Sequence, residues 1–354
     1  MGEMSLTMVN SSSNREWFKK IVLPAIRWIL PVIIFVIIFQ KIDFARLMES
    51  LTRATPGMIA LGLAHAPVLI LIGAFRWWSL LKQNLNKKVS FVFVLKHYWT
   101  GLALGFFAPA SLGWDAYRVY VSGRRYGEYS TNVAIIIVEK LMALVTCMAL
   151  IVILAPMLPI AQVPEIERIL YFAYFLLFGS AAFVVGVIFT LRNRSASILL
   201  EKIESFFLRV FGKIAGKLNF GDKSEDKNIS FRAMMAPIAN PKVVGVIVLS
   251  FAIQFVSSVK SQVFFCALDY DIPFLVNLFV TPTLYFIFLL PISFGSIGIR
   301  EGVYIVLYGL FGVPVEIALL VSFLNLFGML LNNLIGGLVM FVFGTREGCR
   351  ETAL

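Results

Sequence analysis

Six apolar runs set the limits on what this chain can fold into. They lie at about 21–40, 57–75, 131–156, 169–191, 243–266 and 316–343. A helix crosses the hydrocarbon core of a bilayer with about 20 apolar residues. No water is present there to satisfy backbone N–H and C=O groups, so such a segment must bond them internally, as a helix. Composition agrees: 59% of residues are hydrophobic and 14% charged, against about 25% charged in soluble domains. The expectation is an all-α polytopic membrane protein. The first run follows Arg15, Lys19 and Lys20 and leads into Gln40, Lys41 and Asp43. With no small-residue cleavage site, it reads as an uncleaved span and not a signal peptide.

Two further apolar segments, 91–108 and 274–290, each run into a helix-breaking motif. The first reads FFAPASLGWDAYRVY, with Pro109, Ser111 and Gly113 followed by Asp115 and Arg118. The second reads FLLPISFGSIGIREGVY, with Pro291, Ser293, Gly295 and Gly298 followed by Arg300 and Glu301. Proline removes a backbone donor and disturbs the preceding turn, and glycine permits conformations other residues resist. Broken backbone at membrane depth is tolerated only against protein or a water-filled cavity. Two breaks therefore predict two hydrated pockets or one shared cleft. The N-terminal amides of each following helix would attract anions such as phosphate.

Taking both broken segments as re-entrant, with the N-terminus inside, puts 23 Lys and Arg on inner stretches and 4 on outer ones. That asymmetry sets the orientation through the positive-inside rule, and it accounts for the net charge of +11 without a nucleic-acid partner. The expected organisation is a cytoplasmic tail at 1–20, one transmembrane domain over 21–343 and a cytoplasmic tail at 344–354. It has about six full spans plus two re-entrant segments, which may also be counted as eight spans. Shifting 57, 91 and 131 by 182 residues, the spacing between Pro109 and Pro291, lands near the spans of the second half. The halves, about 57–156 and 239–343, thus read as an inverted-topology repeat. Between them, the inner loop 192–242 carries Leu199, Ile203, Phe206, Val210 and Ile214 at helical spacing among lysines and arginines. That pattern suits either an interfacial helix or a solvated connector.

Ionisable groups inside a membrane are expensive, and they mark pathways, proton relays or buried pairs. Asp115 and Arg118 are three apart and share a helical face; they suit a structural pair as well as a binding one. Arg300 and Glu301 are adjacent and diverge. Glu139 and Lys140 fall within 131–156, where Lys140 is placed to snorkel. Lys260 falls within 243–266, where Gln254, Ser258 and Ser261 share a face and form a candidate cleft wall. Trp77, Trp78 and Trp99 read as interface aromatics, His97 as a packed histidine, and Asn325, Asn332 and Asn333 as interhelical hydrogen-bonders. Cys147 and Cys266 lie in apolar runs and Cys349 in the tail, a pattern of neither disulfides nor a metal site.

The segments GLALGFFAPASLGWDAYR, VEKLMALV and PISFGSIGIREGVYIVLYGLFGVP resemble the flippase-like membrane domain of lysylphosphatidylglycerol synthases, which also occurs as stand-alone proteins. The likeness runs from the first span to the last. Two departures stand out: Gly113-Trp114-Asp115 where the family usually has Gly-Gly-Asp, and Glu139-Lys140 where Glu-Arg is usual. The resemblance implies translocation of phospholipids or lipid-linked saccharides. The chain ends about ten residues after its last span, so aminoacyl transfer by an attached domain is not expected.

On this reading Arg118, Arg300 and Lys260 engage the phosphate of an anionic headgroup, arginine in two-pronged fashion. Asp115, Glu139 and Glu301 hold those cations or carry a coupling proton. The absence of a Gly-x-x-x-x-Gly-Lys-Ser/Thr sequence argues against ATP as the energy source, and no cofactor is expected. An alternative is a membrane glycosyltransferase with a polyprenyl-phosphate donor, using Asp269 and Asp271, or Glu165 and Glu167, on outer loops. Another is a non-transporting partner of a lipid-modifying enzyme. The expected location is the plasma (inner) membrane.

Overall fold

The computed structural model describes residues 40, 42–85, 87–105, 112–127, 129–158, 243–289 and 298–351, with scattered positions between 171 and 186. The spans expected at 21–40 and 169–191, the inner loop 192–242, and the break residues Pro109, Ser111, Pro291, Ser293 and Gly295 lie outside the described residues or mostly so. The described residues are helical, with no strand among them. In chain order the helices are α1 Phe44–Arg53, α2 Pro56–Asn84, α3 Phe91–Gly105, α4 Leu112–Tyr126 and α5 Tyr129–Leu154. Then come α6 Val243–Ala267, α7 Phe274–Leu289, α8 Ile299–Gly309 and α9 Val315–Glu351.

Among the described residues, four helices are long and apolar enough to cross a membrane: Pro56–Asn84, Thr131–Met157, Val243–Ala267 and Val315–Val342. Their surroundings reverse the pattern of a soluble protein. Phe75, Phe255, Phe327 and Leu338 are exposed, while Arg76, Arg118, Glu139, Gln254, Asn277 and Glu301 are buried. In water the exposed apolar surface would be a liability; in lipid it is the favoured boundary. The chain is an integral membrane protein.

Local signals explain the helix ends. Asp43 caps α1, its carboxylate accepting from the Ala45 and Arg46 amides at 3.0 and 3.2 Å, as N-cap acids do. Pro56 opens α2, where its missing N–H has no intrahelical partner to lose. Gly298 precedes α8 with φ +86°, a conformation only glycine adopts freely.

The run expected to end at 75 continues to Asn84 as one helix. That corrects two expectations. Arg76, which directly follows that run and so falls among the inner-side cations, and Trp77, expected at the interface, are both buried inside the bundle. Trp78, by contrast, donates to the Val89 carbonyl at 3.0 Å near the end of α2.

Helices α3 and α4 form an antiparallel hairpin. Tyr98 packs on Trp114, His97 bonds Tyr117 at 2.9 Å, and Phe93 packs on Tyr126. Helices α7 and α8 do likewise, with Arg300 over Phe288, Phe279 against Phe311, and Tyr308 donating to Asn277 at 2.7 Å. The first hairpin begins and ends in an apolar cluster with Leu85, Tyr126 and Val246. The second begins and ends in a different cluster, with Leu158, Leu268, Val276 and Val313. With 15 residues each, α3 and α4 are about 22 Å long, short of the ~30 Å hydrocarbon core.

The packing partners follow a pattern. α2 lies along α6. α3 packs on α9 and α7 on α5; α2 packs on α3 and α6 on α7; α4 packs on α5 and α8 on α9. Among α2 to α9 the other close pairs, beside the two hairpins, are α2 with α9, α6 with α5, α2 with α5 and α6 with α9; outside this set α1 packs on α9. Exchange α2 with α6, α3 with α7, α4 with α8 and α5 with α9, and this set of partners maps onto itself. Small residues allow the closest approaches. A Cβ on Gly336 of α9 would meet the Trp99 backbone of α3, the role small residues play between membrane helices.

Candidate functional site

Two groups of charged side chains occupy the interior, one beside each hairpin. The first is a chain of alternating charge. Arg76 of α2 donates to Glu139 of α5 at 2.8 Å, and Glu139 accepts from Arg118 of α4 through its other oxygen at 2.8 Å. Arg118 also donates to Asp115 at 2.7 Å, and Asp115 pairs with Lys140 at 2.9 Å. Arg76 reaches across to the Ser250 hydroxyl on α6 at 3.0 Å. Exposure rises along the chain: side chains of Arg118 and Glu139 are at most 2% exposed, Asp115 is 15% and Lys140 26%. Lys140, expected to snorkel, instead ends this series.

Three aromatic rings close around Arg118. Its guanidinium carbon lies 5.2 Å from the ring centre of Trp77, 5.3 Å from that of Tyr98 and 4.4 Å from that of Trp114. Cation–π contacts of this kind strengthen when desolvated. Trp114, the departure noted in the first break, is made possible by glycines on α3. A Cβ on Gly101 would stand 2.7 Å from Trp114 Cδ1, and one on Gly105 2.6 Å from Trp114 Cβ. The fit requires GLALG facing a Trp. Gly113 sits, partly buried, at the start of the same helix.

The second group differs in kind. Arg300 contacts the Met329 sulfur at 3.5 Å and lies over the Phe288 ring at 5.5 Å. Lys260 of α6 is close enough for its charge to interact with that of Arg300. Among the described residues, no carboxylate pairs with either. The neighbouring break, 290–297, contains no acidic residue. Glu301 turns the other way: it is fully buried and accepts the Gly298 amide at 2.5 Å. The carboxylate that begins α8 thus occupies the helix N-terminus expected to attract phosphate.

The candidate cleft wall is buried. Gln254 donates to Cys147 of α5 at 3.1 Å, Ser258 bonds the Gln254 carbonyl at 2.9 Å, and Ser261 is 2% exposed. A polar chain continues from it, with Asn277 donating to Gln262 at 2.6 Å. His97 is packed against Phe93 and Tyr117. Asn332 faces Trp99 of α3 at 3.5 Å, whereas Asn325 bonds its own helix. Asp269 and Asp271 are exposed on the α6–α7 turn, and Asp269 lines a cavity of about 280 Å³ with Arg46, Glu49, Arg53 and Glu316. Glu165 and Glu167 lie outside the described residues.

Arg76 is the site residue that sequence reading missed. The available signal was an arginine directly after an apolar run and one residue before a tryptophan, a pattern that also marks an interface. Only the facing Glu139 tells the two apart.

A comparison with curated proteins found no match. A family model does match, over residues 21–335, and its matched stretch takes in both hairpins, Arg76, Arg118, Glu139, Lys260, Arg300 and Glu301. The chain belongs to the family of the lysylphosphatidylglycerol synthase TM region.

Proposed function

We propose that this protein translocates a phospholipid or lipid-linked saccharide with an anionic headgroup, as a translocase and not a chemical catalyst. The observation that carries this reading is the state of Lys260 and Arg300. Cations at membrane depth are costly unless paired, and among the described residues these two have no carboxylate. A lipid phosphate is the partner a membrane supplies. It would bond Arg300 in two-pronged fashion, with Lys260 as a second point charge, while the acyl chains stay in lipid.

The halves act as an inverted-topology repeat with re-entrant hairpins. Support comes from the exchange symmetry of the helix partners and from the separate clusters in which the two hairpins are rooted. The termini then lie on the cytoplasmic side of the plasma membrane. The first hairpin is held by the Arg76–Glu139–Arg118–Asp115–Lys140 series. Arg118 reaches a headgroup only by exchanging Asp115, its more exposed partner, for phosphate. Gln254, Ser258 and Ser261 become the polar wall when the bundle opens.

Analysis of lipid retained by the purified protein tests this. Wild type is expected to hold anionic lipid above its share in the membrane, and Lys260→Gln combined with Arg300→Gln to lose that enrichment. No enrichment in wild type would contradict the reading. The outer cavity beside Asp269 leaves a glycosyltransferase as the second reading. It requires that Asp269→Ala with Asp271→Ala abolish metal-dependent turnover.

A further inference from the structure

Building on the assignment of Lys260 and Arg300 to the headgroup, we infer that Glu301 binds one proton together with that headgroup, so that lipid anion and proton move as a pair. Among the described residues four acids are buried or half-buried, and their surroundings separate them: Glu316, near the start of α9, accepts the Asp43 amide at 3.1 Å. Glu139 has an arginine on each oxygen. Asp115 has Arg118 on one oxygen and Lys140 on the other. Protonating either would break ion pairs that hold α2, α4 and α5 together. Glu301 has neither constraint. It is fully buried, its Oε2 accepts the Gly298 amide, and its Oε1 has no hydrogen-bond partner among the described residues.

The charges around Glu301 are few. Arg300, Tyr304 and Tyr308 are on α8 itself and Lys260 is on α6. Helix α7 carries no charged residue, only Tyr285 as a further titratable group. Within 315–342, α9 carries only Glu316. Arg300 meets α9 at Met329, 13 residues from Glu316 and so about 20 Å along the helix.

The Glu301 carboxyl sits at the positive end of α8, where a negative charge on it and a phosphate beside Arg300 would both be drawn. Two anions there repel. A proton taken from water onto Oε1 removes the repulsion and leaves Oε2 on the Gly298 amide. Release of that proton to water on the opposite side, after the headgroup departs, restores the starting state. Binding of headgroup and proton therefore favour one another, and linkage makes the coupling reciprocal.

The test titrates the detergent-solubilised full-length protein with dihexanoyl phosphatidylglycerol in weak buffer containing a pH-indicator dye. Dihexanoyl phosphatidylcholine is the control without net charge. The phosphodiester stays ionised near neutral pH, so any proton uptake belongs to the protein. Wild type is expected to take up as much as one proton per phosphatidylglycerol bound. Its affinity should fall by up to about tenfold per pH unit as pH rises through the range of uptake. Glu301→Gln, whose amide oxygen can still accept from Gly298, is expected to bind this lipid without uptake and without pH dependence. Binding by wild type with no proton uptake overturns the inference and leaves the headgroup assignment standing. Uptake that persists in Glu301→Gln overturns it too. Failure of wild type to bind phosphatidylglycerol overturns the headgroup assignment and this inference with it. The wild-type proton count needs no variant to fold.

Discussion

Arg118 of α4 and Glu139 of α5 meet at 2.8 Å, and neither side chain is more than 2% exposed. Each is also the other's link to a longer series: Glu139 to Arg76 of α2, and Arg118 to Asp115 and Lys140. The first hairpin is therefore tied to two long helices by charge, inside a bundle whose outer surface is apolar. The second hairpin has no such tie among the described residues.

Removing the centre of the series should be expensive. Glu139→Gln leaves Arg76 and Arg118 buried without their shared carboxylate, a loss of about 3–5 kcal/mol for a broken buried pair. Lys140→Gln, at the more exposed end, should cost about 1 kcal/mol or less. Thermal unfolding in detergent distinguishes the two. Equal small losses would mean that the series does not hold the bundle.

The Trp114 pocket predicts a non-additive pair. Gly101→Ala places a Cβ 2.7 Å from the Trp114 ring, an overpacking worth about 1–3 kcal/mol. Trp114→Ala removes a ring from Arg118 but also removes the clash. The double variant should therefore be more stable than the sum of the singles by on the order of 1 kcal/mol. Strict additivity in the same unfolding assay would contradict the packing described.

These contacts show what was legible in the sequence. Run length and composition were enough for the membrane class, for the ends of α5 and α6 and for the start of α9, whose helix runs on past 343 to Glu351. The spacing of Asp115 and Arg118 was enough for their pairing. Two contacts were not readable. Arg76 meets Glu139 across 63 residues, and Trp77 meets Arg118 across a helix pair; neighbours in sequence therefore point Trp77 to the interface and give Arg76 no role in the site. The departure at Trp114 looked like an unexplained change in the break. Its compensation lies in Gly101 and Gly105, on another helix. For the second group, adjacency correctly implied that Arg300 and Glu301 diverge. That Glu301 would spend an oxygen on the Gly298 amide depends on a positive φ that glycine makes available but does not announce.

The proposed inverted repeat, with its hairpins entering from opposite faces, predicts accessibility from opposite sides. Lys88 and Asp269 are both exposed, one before α3 and the other before α7. In chains with the native cysteines replaced, an impermeant maleimide applied outside intact cells should label Asp269→Cys and not Lys88→Cys until the cells are opened. Labelling of both from outside would contradict the inverted arrangement.

Transport itself is the most direct measurement. Proteoliposomes containing fluorescent phosphatidylglycerol, with outer-leaflet label quenched by dithionite, report movement between leaflets. The expected result is faster loss of protected signal with wild type than in protein-free vesicles, and a rate reduced at least tenfold when Lys260→Gln and Arg300→Gln are combined. A wild-type rate equal to that of protein-free vesicles, or a rate unchanged in the double variant, would contradict the proposal that Lys260 and Arg300 carry an anionic headgroup across the membrane.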